Sequence, residues 1–201
     1  MLSTLATIAA LPWLQGFEPA AVTDRPTRGV LDELAEWQPA EDRCVAAAYG
    51  GLEVIADLTP APGDERVLAS FSQGLVVLDR DRHLISRAPG FTCQGSADEL
   101  EAMAIGDAWI GEPVIALAAT AGGHNESVTS LTLYRVGDAG ALVPVFTGEV
   151  ERHVGRATRT GIVMVFPGGL VYRAPNGTTS VWRYDEAAGR YVDRTVFGPV
   201  V

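Results

Sequence analysis

Asp107 and Gly111 frame a short turn in "AIGDAWIGEPVIALAAT" (104–120), with Glu112 just behind it and a long apolar run after that. A carboxylate at such a turn could serve a hard cation, but calcium takes roughly six to eight oxygen ligands. With only Asp107 and Glu112 acidic in this stretch, the turn reads as structural and no metal is assigned to it. A second polar set lies in "TAGGHNESVTS" (120–130), where His124, Asn125 and Glu126 sit between two strand-like runs. Loops carried on rigid strands often hold contact residues. An imidazole, an amide and a carboxylate so close in sequence make a poor catalytic triad, whose members come from separate segments. Trp109, His124, Asn125 and Glu126 are therefore candidate binding residues, and no catalytic residue is assigned.

His83 in "DRDRHLI" and His153 in "VERHVGR" are flanked by charges and read as solvated. No histidine pairs with another His, or with a Cys, at metal-ligand spacing. GxSxG, GxxxxGK[ST] and HExxH are all absent, so no cofactor is implied. The two cysteines, Cys44 and Cys93, admit a single disulfide. They would pair in an exported protein and stay as buried thiols in a cytosolic one.

The elements that must carry these residues are short and β-like. Strand candidates rich in Val, Leu, Ile, Thr and Tyr alternate with Gly, Asp, Asn and Pro. Leu75–Leu78, the turn "DRDR", then Leu84 and Ile85 make one hairpin; Val181–Tyr184, "DEAAG", Tyr191 and Val192 make another. One helical signal, "GVLDELAEWQ" (29–38), places Val30, Leu31, Leu34 and Trp37 on one face. The chain divides into an apolar N-terminal segment (1–17), a lead-in with this helix (18–43) and a single β domain (44–201).

The β domain also aligns with itself at a spacing of about fifty residues. Sliding 111–135 onto 161–185 pairs Gly111 with Gly161, Ser130 with Ser180 and Tyr134 with Tyr184. In the other direction Asp57 falls fifty before Asp107, and "RVLASF" (66–71) near "VIALAAT" (114–120). About three such units, each of some four strands, define an antiparallel meander. A propeller or partial propeller accommodates it; so does a β-sandwich or barrel.

In "AIGDAWIGEPVIALAATAGG" the chain resembles the integrin-like FG-GAP/VCBS class of propeller repeats, in which strand, Asp-rich loop, Gly and strand recur in each blade. The resemblance covers 100–147 best, 52–86 loosely, and 160–195 only in its later strands. It implies a propeller fold and calcium loops of the form D-x-D-x-D-G-x-x-D. Here Asp107 stands in such a pattern, but Trp109 takes the second ligand position and Val114 or Ile115 the last. The loop is thus expected to hold its shape without calcium.

Charge narrows the function further. The formal net charge is −10 and every one of the fifteen basic residues is arginine. An acidic surface disfavours sequence-independent nucleic-acid binding and docking on anionic lipid. The arginine bias matches the codon usage of a GC-rich genome. The apolar stretch Leu2–Leu14 has the length of a signal-peptide core, is too short to span a bilayer, and lacks a preceding basic residue. The sequence is expected to encode a non-enzymatic binding or structural module, periplasmic or extracellular, whose hairpin loops contact a protein partner, with self-association as the other expected contact. A cytoplasmic location is the alternative. The rival function is a hydrolase or carbohydrate-binding protein with a site near His124, Glu126 and Trp109.

Overall fold

The computed structural model describes residues 11–37, 50–59, 63–108, 110–137 and 141–195. The chain begins with β1 (Leu14–Gln15), β2 (Glu18–Thr23) and helix α1 (Arg28–Ala35). A first meander follows as β3 (Leu52–Ala56), β4 (Glu65–Ser70), β5 (Gly74–Leu78) and β6 (Leu84–Ala88). The second comprises β7 (Glu99–Asp107), β8 (Pro113–Gly122), β9 (Glu126–Val136) and β10 (Leu142–Val154), and β11 (Ala157–Thr160) comes next. The third is β12 (Ile162–Phe166), β13 (Gly169–Arg173), β14 (Thr179–Asp185) and β15 (Arg190–Asp193). Each meander is antiparallel; β2 adds to the free edge of β7, β11 to that of β10, and β1 pairs parallel with β12.

The sheets stack face to face in chain order. Leu52, Val54, Val67 and Val77 of the first sheet meet Met103, Ile105, Ile115 and Leu117 of the second. The opposite face of the second sheet, through Ala104, Val114, Ala116 and Leu133, meets Val163, Val165, Leu170 and Tyr191 of the third. Helix α1 closes the far side of the first sheet, with Val30 and Leu34 against Leu68, Val76 and Leu78. One sheet curls into a half-barrel. The fold is therefore all-β, and the sandwich or barrel alternative describes this packing; a ring of blades is not seen among the described residues.

Layer position explains the sequence pattern strand by strand. β5, "GLVVL", is apolar throughout because its two faces meet different neighbours, Leu75 and Val77 the second sheet, Val76 and Leu78 the helix. β8 is apolar from Val114 to Ala119 for the same reason: Ile115 and Leu117 point one way, Val114, Ala116 and Ala118 the other. Strands covered on both faces lose the period-two alternation that marks a half-buried strand. β14, "TSVWRYD", keeps it, alternating more exposed with less exposed positions along most of its length. The strand prolines obey the same logic: Pro113 opens β8, Pro19 sits at a bulge in the edge strand β2, and Pro144 at a bulge in β10. Those are the places where a missing N–H costs least.

The fifty-residue slide fits this topology in part. Ser130 and Tyr134 lie on the third strand of their meander, and so do Ser180 and Tyr184. Gly111 and Gly161 do not correspond, since Gly111 precedes the second strand of one meander and Gly161 the first strand of the next. The ten-residue β8 matches the short β12–β13 hairpin in composition while differing from it in topology.

Candidate functional site

A cleft of about 550 Å³ opens where the end of the first sheet meets the β7–β8 turn. Its apolar wall is Ala20, Ala21, Ile55, Ala56, Ile105 and Pro113. Glu18, Asp57, Asp107 and Glu112 supply its acidic groups. Strand pairing gathers these carboxylates: Glu18 on β2 stands in register opposite Asp107 on β7, while Asp57 follows directly after β3. Ile55 is 56% exposed, so an apolar side chain faces solvent at a carboxylate-lined opening.

Glu112 is neutralised within the protein, accepting from the Arg135 guanidinium at 2.8 Å. Tyr191 braces the turn from the third sheet, its hydroxyl donating to the Ala108 carbonyl at 2.8 Å. Burial, with Tyr184 and the Asp107 charge nearby, pushes the Tyr191 phenol well above its usual range, which keeps that donor protonated. Two glycines shape the region. Gly111 has φ +79°, a left-handed conformation that a side chain resists. At Gly106 a Cβ would lie 2.1 Å from the Glu18 carbonyl oxygen, so only glycine lets β2 approach β7 there. Among the described residues no group of three His, Cys, Asp or Glu side chains could hold a metal ion. The carboxylates line a surface instead of converging on a point.

Three of the four candidate binding residues read from sequence fall elsewhere. His124, Asn125 and Glu126 are exposed at the β8–β9 turn. That turn is tied down by Gly123 N–H to the Glu126 carbonyl (2.8 Å), Gly155 N–H to the Asn125 carbonyl (2.8 Å), and Arg152 to the Glu126 carboxylate (3.2 Å). Trp109 lies outside the described residues; its neighbours Ala108 and Ile110 belong to the turn before β8. The two turns sit at opposite ends of the ten-residue β8, about 30 Å apart at roughly 3.3 Å per residue. Ala108 and Ile110 thus stand at the far end of β8 from His124 and Glu126. An extended strand separates residues that are close in sequence.

The His124 end adjoins a smaller hollow of about 290 Å³ lined by Glu149, Arg152, Arg159 and Tyr172 among others. Arg152 is committed there to Glu149 at 2.7 and 2.8 Å, and Tyr172 donates to the Glu149 carbonyl. Nearby, Asp98 is 1% exposed and accepts from the N–H groups of Gln94, Gly95 and Gly122, pinning the 93–98 loop to the end of β8. Cys93 in this loop is disulfide-bonded, and Cys44, named with it above, lies outside the described residues. None of these groups forms a nucleophile–base pair. Comparison with protein-family models, with curated proteins and with solved structures finds no match to this chain. No helix among the described residues is long and apolar enough to cross a membrane.

Proposed function

We propose that the protein is a non-enzymatic, exported binding module that holds a segment of a protein partner in the cleft beside the β7–β8 turn. The observation that carries this reading is the cleft's composition, with an apolar wall ending in Ile55 and the carboxylates of Glu18, Asp57 and Asp107 around it. Such a surface suits an extended segment that presents arginine or lysine together with small apolar side chains, since complementary charge steers and orients docking. Three stacked meanders and the Asp57–Asp107 spacing support descent from propeller-type repeats of the FG-GAP/VCBS kind. The disulfide at Cys93 supports an oxidising, extracytoplasmic setting.

The test is fluorescence anisotropy with a short labelled peptide of alternating arginine and valine, against a control of alternating glutamate and valine. Preferential binding of the arginine peptide, weakened about tenfold in the D57N/D107N double variant, is the expected result. Equal affinity of the variant and the parent chain for that peptide would refute the reading.

A further inference from the structure

The three-sheet stack has two ends, and only one is finished. At the α1 end, apolar residues meet the helix, and Arg66 on the sheet is paired with Glu33 on the helix at 2.6 Å. At the other end the outer face of the third sheet has no neighbour among the described residues. Strand register places Met164, Val171 and Val181 side by side across β12, β13 and β14 on that face. Met164 is 45% and Val181 36% exposed.

Strand composition says this face is meant to be covered. β5 and β8, apolar at successive positions, are covered on both sides. β12, "IVMVF", has the same unbroken composition, with Val163 and Val165 buried in the stack and Ile162, Met164 and Phe166 directed outward. By comparison with β5 and β8, β12 has the sequence of an interior strand at an exterior position. Capping elements with a polar outer face are what terminal layers of stacked sheets normally require.

Charge identifies the occupant. Arg173 lies in the row on one side of Met164–Val171–Val181 and Arg183 in the row on the other, with the Arg183 guanidinium 5.2 Å from the Phe166 ring centroid. Among the described residues neither arginine has a carboxylate partner, while Asp185 on the same strand is already taken by Arg194 at 3.2 Å. A second copy stacked face to face would bring these arginines together in pairs, and like charges across an interface are costly. We infer that the outer face of the third sheet docks an acidic, apolar segment of a protein partner, whose carboxylates reach Arg173 and Arg183 while its apolar side chains cover Met164, Val171 and Val181. This surface is distinct from the carboxylate-lined cleft and selects the opposite charge, so each can fail without the other.

The experiment titrates the full chain with two labelled peptides, alternating glutamate–valine and alternating arginine–valine, and adds R173E/R183E, R173K/R183K and V181E variants. The expected result is that the glutamate peptide binds the parent chain and R173K/R183K, and binds R173E/R183E and V181E about tenfold more weakly or less. That binding is also expected to weaken as salt rises and to be unchanged by D57N/D107N. Thermal unfolding of each variant separates loss of the face from loss of the fold. Glutamate-peptide binding indifferent to the arginine reversals would overturn the inference. So would self-association of the parent chain in sedimentation that V181E abolishes, which would make a second copy the occupant. Binding that appears only after residues 196–201 are deleted would also overturn it, because the face would then belong to the chain's own terminus.

Discussion

Asp57 and Asp107, fifty residues apart in the chain, line one cleft from two different sheets. Asp57 lies just past the end of β3 and Asp107 at the end of β7, each at the end of the first strand of its meander. Stacking the first two meanders therefore brings two equivalent positions together. The spacing that marks a repeat in the sequence becomes, in the folded chain, two carboxylates lining one cleft.

Gly106 sets the shape of that cleft, and its replacement is the sharpest structural test. Gly106→Val drives a side chain into the Glu18 backbone. The expected cost is about 1–3 kcal/mol in urea unfolding, the usual range for overpacking. Separation of β2 from β7 should appear as faster amide exchange along Glu18–Thr23.

The layer assignment predicts a contrast between two apolar residues. Leu117 is 1% exposed between the first two sheets, so Leu117→Ala should cost about 2–5 kcal/mol. Met164 faces outward, and Met164→Ala should change the stability of the isolated chain by no more than about 0.5 kcal/mol. Equal effects in denaturant titrations would contradict the order of the layers.

Asp98 satisfies three backbone N–H groups that burial denies to water. Asp98→Ala should cost at least about 1–3 kcal/mol, while D98N, which retains one acceptor oxygen, should recover part of it. Thermal melts of the two variants check this.

The disulfide at Cys93 predicts that, without reductant, the purified chain takes up no alkylating reagent at either cysteine. Reduction should lower stability by about 2–4 kcal/mol. Mass spectrometry before and after reduction reads the first outcome directly.

The individual strands were legible in the sequence because alternation and turn residues are local signals. The helix was as well, expected over 29–38 and found at Arg28–Ala35. The order of layers is also encoded, in strands such as β5 and β8 that are apolar on both faces, but naming the covering element needs the tertiary structure. The cleft was legible only as the Asp57–Asp107 spacing, since Glu18, Ile55 and Ile105 reach it from separate segments. The loop at His124 drew attention through its side-chain chemistry. Its distance from the turn at Asp107 is set by the length of β8, which no residue type announces.

The most direct test of the account is an amide-shift titration of the nitrogen-15-labelled chain with the arginine–valine peptide. Saturable shifts concentrated at Ala56, Asp57, Gly106 and Gly111, with His124 and Asn125 unmoved, are the expected result. Shifts centred on residues 123–126, or none at the cleft under conditions where the peptide binds, would contradict it.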